Sequence, residues 1–241
     1  MIVIVGTGHV FNISESVSFI VKNLWPEVLM VELDAKRYAA LTDERQTSEI
    51  HASSSAPRSY MRSARYQERI SKEHGTEAGG EFLAAIHTAN ALDARIVCID
   101  RDAEEVMAEM EAEMKLTERL RYRLSAYTDG LLGKRRVEKV QRDFAVDEDA
   151  YMHSMRRRYP TLVRKLIDER DAYMAERIRE NLPAEGNTVV IVGDAHVEGL
   201  LGLLSDLEPC RIRLSDLLDP FRLNRVKDAV WNDELGNGDW N

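Results

Sequence analysis

Two short β-branched runs, residues 2–5 (Ile-Val-Ile-Val) and 188–192 (Thr-Val-Val-Ile-Val), lead straight into a Gly-x-x-His sequence. The first gives Gly6-Thr7-Gly8-His9 and the second Gly193-Asp194-Ala195-His196. A run that is apolar at consecutive positions, not alternate ones, has both faces covered, as in a strand of a parallel sheet. Val28-Leu29-Met30-Val31, closed by Glu32, has the same character. So does Arg95-Ile96-Val97-Cys98-Ile99 after its first residue, closed by Asp100-Arg101-Asp102, and residues 210–214 offer a fifth candidate. Between these runs the apolar period changes to three and four, through Val17, Ile20, Val21 and Leu24, and through Phe82, Ala85, Ile86, Ala89 and Leu92. The alternation predicts an α/β fold with a mostly parallel central sheet flanked by helices.

From about 103 to 182 the pattern stays helical. Val106, Met110, Met114, Leu120 and Leu124 mark one amphipathic stretch, and Leu162, Val163, Leu166, Ile167, Met174 and Ile178 a later one. The segment is too long for one crossover helix, so it is expected as an excursion packed beside or over the sheet. Its stripes are long enough for a homodimer interface or for packing within one chain, and the sequence does not choose. Residues 46–76 are polar and read as a long connection or short helices. After about Pro220 the chain turns polar, which predicts a single domain over 1–222 and a frayed tail over 223–241.

Composition excludes several classes of function. At 44% hydrophobic and 31% charged residues, the 241-residue chain is globular, not disordered. A net charge of −9 disfavours a nucleic-acid scaffold, which needs a basic face. The local basic runs at 134–136 and 156–158 are interleaved with Glu138, Asp143, Asp147, Glu148 and Asp149, as on a solvated helix surface. Cys98 and Cys210 lie in apolar runs without metal-ligand spacing and are expected as free thiols in a reducing compartment. No basic segment precedes the first apolar run, and no run reaches about 18 apolar residues. A cytoplasmic protein without a membrane span is expected.

Ligands of an open parallel sheet bind at the carboxyl ends of its strands. Four strands here end in polar residues that bring His9, Glu32, Asp100 and His196 to such ends, and neighbouring strands would let the four converge. Glycine beside each histidine lets backbone approach a ligand closely. Glu32, Asp100 and Asp102 are equally placed to cap the helices that follow. Glu81, after Gly79-Gly80, suits the first turn of a helix on dipole grounds alone.

The later helix adds a different signal. Its apolar stripe runs through 163, 167, 174 and 178, and position 170 of that stripe is an arginine. Arg177 follows seven residues on, at nearly the same face. A buried arginine needs carboxylate partners or a bound anion. Arg170 and Arg177 are therefore expected to face Glu32 or Asp100, or a substrate carboxylate. A structural ion pair is the competing reading. Two histidines with carboxylates would also suit Zn²⁺, Mn²⁺ or Co²⁺. The chain has no His-Glu-x-x-His, no Gly-x-Ser-x-Gly, no Gly-x-Gly-x-x-Gly and no phosphate-binding loop.

The motifs resemble, in order, those of the TraB/PrgY pheromone-shutdown family. They are Gly6-Thr7-Gly8-His9-Val10, Val31-Glu32-Leu33-Asp34 with Arg37-Tyr38, Gly80-Glu81-Phe82 and Ile99-Asp100-Arg101-Asp102. Asp168-Glu169-Arg170-Asp171-Ala172-Tyr173-Met174 and Gly193-Asp194-Ala195-His196-Val197-Glu198-Gly199 complete the set. The resemblance extends from residue 2 to about 200. It implies a relation to the TIKI metalloproteases and to the clan of erythromycin-esterase-like and ChaN-like proteins. Carried over, it makes His9 and His196 metal-binding and catalytic, with Glu32 or Glu81 as the glutamate, Glu81 also a candidate ligand. Arg170 would assist catalysis, and Arg37, Asp100, Arg101, Arg170, Tyr173 and Arg177 would contact substrate.

The expected function is a divalent-metal-dependent hydrolase, a peptidase, with Mn, Co or Zn as cofactor. The alternatives are a protein that sequesters a peptide or small ligand without turnover, and a metal-free esterase-like hydrolase with histidine as general base. Many archaeal TraB-like proteins carry a hydrophobic carboxy-terminal region that this chain lacks, which suggests a short natural form or a truncation.

Overall fold

The computed structural model describes residues 1–8, 11–43, 79–122, 148–232 and 234–235. Its strands are β1 (Ile2–Thr7), β2 (Val28–Val31), β3 (Arg95–Cys98), β4 (Thr188–Gly193) and β5 (Cys210–Ile212). They form one sheet in the order β3-β2-β4-β1-β5, and every pairing is parallel. The expected α/β architecture is present, and the fifth candidate run is a real edge strand.

Side chains alternate across the sheet and separate two cores. Val3, Val5, Leu29, Val31, Val189 and Ile191 face one side, where α1 (Ser14–Leu24) and α3 (Gly80–Ala91) cover them. Ile2, Ile4, Val28, Met30, Val190 and Val192 face the other, beneath α7 (Glu169–Asn181) and α8 (Val197–Leu203). β1, β2 and β4 are buried at nearly every position, which is why they read as continuous apolar runs. Acidic caps start the intervening helices. Asp34 accepts from the Arg37 amide ahead of α2 (Ala35–Thr42), and Asp102 accepts from Glu104 and Glu105 ahead of α4 (Ala103–Glu113). Of the three acids read as possible caps, Asp102 takes that role.

The helical excursion ends over the sheet: Met174, Ala175 and Ile178 of α7 pack directly on it, so α7 is the helix that returns the chain from β3 to β4. Ahead of it, α5 (Glu148–Arg158), α6 (Pro160–Val163) and a π turn (Arg164–Asp168) follow in succession, α6 and the π turn packing on α4. There Met107, Met110 and Met114 bury against Leu162 and Leu166 within the same chain. One expectation needs correction, at the carboxyl end. Residues read as a polar tail after 222 continue α10 (Pro220–Trp231), which follows the short α9 (Leu214–Leu218). Asp219 caps α10, Pro220 occupies its first turn, and Val226, Val230 and Leu235 enter the first core. Val226 and Val230, four apart, seat the helix, with Leu223 and Ala229 packed partly against the same core. Residues 46–76, the basic run at 134–136 and Leu124 lie outside the described residues.

Candidate active site

The sheet order makes neighbours of the strands whose ends carry chemistry. Asp100 follows β3, Glu32 follows β2 and His196 follows β4, and these three strands are consecutive. The amide of Glu32 still bonds to the Ile191 carbonyl, at 3.0 Å, so its side chain keeps the sheet's alternation and turns to the same face as Met30, under α7. Thr7, the last residue of β1, pairs in register with Gly193 and donates its hydroxyl to the Val192 carbonyl at 3.2 Å. The first Gly-x-x-His therefore enters beside the second, and His9 itself lies outside the described residues.

Helix α7 ends just before β4, so its amino terminus sits at the carboxyl ends of the strands. Arg170, in its first turn, projects over them. Its Nε donates to Asp100 Oδ1 at 2.8 Å, and Nη2 donates to Asp100 Oδ2 at 2.7 Å and also to Glu32 Oε1. Nη1 donates to the Leu166 carbonyl at 3.1 Å and stands 3.2 Å from His196 Nε2. The π turn adds a residue to the helix immediately before this arginine, a distortion found often at functional sites. It shifts the helix face by one position, so Asp171, Met174, Ala175 and Ile178 form the buried stripe.

Asp171 was not anticipated as a site residue. Its Oδ1 lies 2.6 Å from His196 Nδ1, and both side chains are buried. The signal was available, because Asp171 precedes Met174, Ala175 and Ile178 at helical spacing and so puts a carboxylate on an apolar stripe. Gly199 makes the space: a Cβ there would collide with Asp171 Oδ2. On the far side of the imidazole, Nε2 is 3.4 Å from Glu32 Oε1. Glu32 Oε2 accepts from the Gly193 amide at 2.5 Å, which ties the β2 end to the glycine of the second motif.

Burial disfavours charge on His196, but Glu32 and Asp171 outweigh it, and the imidazole is pushed up to about 9. Burial alone would also raise Glu32. The His196 and Arg170 charges and the Gly193 amide instead hold its carboxyl well below the usual range. Burial pushes Asp171 up against the pull of His196 and Arg170, with the Glu32 charge adding to the rise. Burial works against the charge on Arg170 as well, and the two carboxylates more than compensate. At neutral pH the proton between Glu32 and His196 therefore belongs to the imidazole.

A second network fixes the turn that carries His196. Asp194 receives Arg213 Nε at 3.0 Å, Arg213 Nη2 at 2.8 Å and the Leu214 amide at 2.8 Å. A Cβ at Gly6 would collide with Asp194 Oδ1, so the glycine of the first motif serves the aspartate of the second. Spacing between the two motifs gave no hint of this contact.

The other expected site residues separate. Arg37 approaches the cluster, with Nη1 3.4 Å from both Asp100 Oδ2 and the Glu32 carbonyl. Arg101 instead pairs with Glu109 at 2.7 Å and stands 3.7 Å from Glu169, tying α4 to α7. Tyr173 is exposed on α7. Arg177 does not face the strand-end carboxylates. It pairs with Glu180 at 2.7 Å on the surface, because seven residues along a helix carry it about 10 Å away from the site. Glu81 is buried in the first turn of α3, the helix that covers the opposite face from α7.

A profile of the TraB/PrgY/gumN family matches residues 1–214, with the strand ends, Arg170 and His196 inside the match. The chain belongs to the TraB/PrgY/gumN family. It is also similar to the uncharacterized protein MJ1365 of Methanocaldococcus jannaschii, with 27% identity over 214 residues, 86% of this chain and 54% of that protein. The chain thus spans about half the length of that relative. Among the described residues, no helix is long and apolar enough to cross a membrane.

The resemblance to the TIKI proteins implies a divalent ion, and the donors present can be judged against one. His196 Nε2, Glu32 Oε1 and both Asp100 oxygens are of the right chemical types, but all of them converge on the Arg170 guanidinium. Among the described residues, no group of three or more His, Cys, Asp or Glu side chains is arranged to hold a metal. Among the described residues, which do not include His9, these donors as folded do not fit a metal ion.

Proposed function

We propose that this TraB-family chain is a hydrolase, acting on a peptide bond, with Glu32, Arg170, Asp171 and His196 as its working centre. One observation carries the reading. Arg170 Nη1 and His196 Nε2, held 3.2 Å apart, become two adjacent N–H donors once the imidazole is protonated. Neither can then accept from the other, so an oxygen that replaced Glu32 Oε1, 3.4 Å from Nε2, would meet both donors. Paired donors fixed in a buried site are what a developing oxyanion requires.

In this reading the carbonyl oxygen of the scissile bond takes the place between Arg170 and His196. Glu32, beside the same donors, accepts the proton of the attacking water as its oxygen bonds to the carbonyl carbon. His196, oriented by Asp171 through Nδ1, then gives its Nε2 proton to the leaving amine as the carbon–nitrogen bond breaks. Asp171 works by fixing the ring and stabilising the imidazolium. Arg37, half exposed beside Asp100, lies where a substrate carboxylate would enter. The peptide class rests on the resemblance to the TIKI proteases, and the chemistry rests on the cluster.

The test is digestion of a defined peptide pool by the full chain after treatment with EDTA, followed by mass spectrometry. New fragments that grow with time and enzyme concentration are the expected result. Saturable peptide binding with no fragment formed would replace this reading with sequestration.

A further inference from the structure

The Arg170 guanidinium stands where the strand-end donors would converge on a cation. We infer that in this chain Arg170 takes the place of the divalent ion, so that the cluster is a guanidinium-centred site that binds no metal. This inference rests on the cluster's being the active site, and it goes further by saying which cation organises it. Carboxylates and an imidazole from three consecutive strand ends are the donor types that Mn²⁺, Co²⁺ or Zn²⁺ would use. Every one of them already meets the same planar group. Asp100 takes Nε and Nη2 as a two-point pair, Glu32 shares Nη2, and His196 faces Nη1.

The arrangement is built to keep the arginine in place. Its side chain is 14% exposed, and the Asp100 side chain only 1%. The fourth bond, from Nη1 to the Leu166 carbonyl, reaches into the π turn. An α-helical turn there would place residue 170 at a different angle to the sheet. A guanidinium keeps its charge at any pH a protein survives, so no titration vacates the place. An ion entering with Arg170 in place would put like charges together in a buried site, and an ion displacing it would have to break four hydrogen bonds.

Calorimetric titration of the EDTA-stripped full chain with Mn²⁺, Co²⁺ and Zn²⁺ separately decides the matter. Wild type, His196→Ala, Arg170→Ala and the double variant are compared. Wild type should give no one-to-one binding that His196→Ala abolishes. Arg170→Ala should gain one-to-one binding of at least one of the three ions, lost again in the double variant. One-to-one binding by wild type that His196→Ala removes would overturn the inference, and so would an Arg170→Ala chain that gains none. Arg170→Met retains the aliphatic stem and replaces Arg170→Ala should that variant not fold. The comparison of wild type with His196→Ala needs neither. Peptide cleavage is read in a separate assay, so loss of the hydrolase reading is not confused with loss of this one.

Discussion

Arg170 Nη1 stands 3.2 Å from His196 Nε2, and the imidazole is held from its other side by Asp171 at 2.6 Å. The contact between the two cations is tolerable only because Glu32 and Asp100 lie against them. Glu32, Asp100 and Asp171 face Arg170, Arg37 and His196, so three acidic and three basic side chains balance in one cluster, with Arg37 at its exposed edge. Removing a member should therefore be felt by the others.

The proton on His196 is the most accessible consequence. Its folded value of about 9 lies above that of an exposed histidine, because Glu32 and Asp171 overcome burial. The protonated pair then contributes stability fully below the unfolded value near 6.5, and that contribution is lost as pH rises through about 9. Glu32 acts in the opposite sense: its depressed value contributes stability above the ordinary carboxylate range, lost as pH falls through the folded value. Nitrogen-15 shifts of the His196 ring followed from pH 5 to 10 should move with a midpoint near 9. A midpoint near 6.5 would place the imidazole outside any coupled cluster.

Arg170→Ala leaves two buried carboxylates without their cation. The expected loss of stability is about 3–5 kcal/mol, the magnitude for breaking one side of a buried ion pair. Arg170→Lys keeps the charge but not the two-point geometry and should lose less. Urea unfolding of both variants measures the difference, and equal, small losses would show the guanidinium bonds to be idle.

Gly199→Ala tests the room made for Asp171. A Cβ at 199 would occupy the position of Asp171 Oδ2, so either α8 or the aspartate must move. The variant should lose about 1–3 kcal/mol and the His196 midpoint should fall, because the Nδ1 bond lengthens. An unchanged midpoint would separate Gly199 from the cluster.

The carboxyl-terminal helix belongs to the core. Val226→Ala should cost about 2 kcal/mol through the cavity it leaves. Asp219→Ala should cost about 1 kcal/mol through loss of the cap shared by the Phe221 and Arg222 amides. Thermal unfolding indifferent to both changes would return this segment to the status of a tail.

Much of this molecule could be read from the chain alone, for stated reasons. Strands covered on both faces are apolar at consecutive positions, and acids that end such strands stand out against them; Glu32 and Asp100 were visible on that ground. Arg170 is visible as a charge on an apolar stripe, although a regular helix through 163 and 167 leaves out the π turn that shifts the face. Arg177 was misplaced by the same regular-helix assumption, combined with neglect of how far seven residues travel along the axis. Asp171 was overlooked because it follows a more conspicuous arginine. The Gly6–Asp194 and Gly199–Asp171 contacts depend on which strands become neighbours, which no local pattern encodes. Val226 and Val230 went unread because two valines on a charged helix give a weak period.

The most direct test of the central claim is the initial rate of peptide hydrolysis by wild type, Glu32→Gln, His196→Ala and Arg177→Ala, each first shown to be folded by its thermal transition. The account predicts a loss of about a hundredfold or more for Glu32→Gln and His196→Ala. Arg177→Ala should stay within about twofold, as expected for an exposed pair. Hydrolysis that persists in folded His196→Ala would contradict the assignment of this cluster as the working centre.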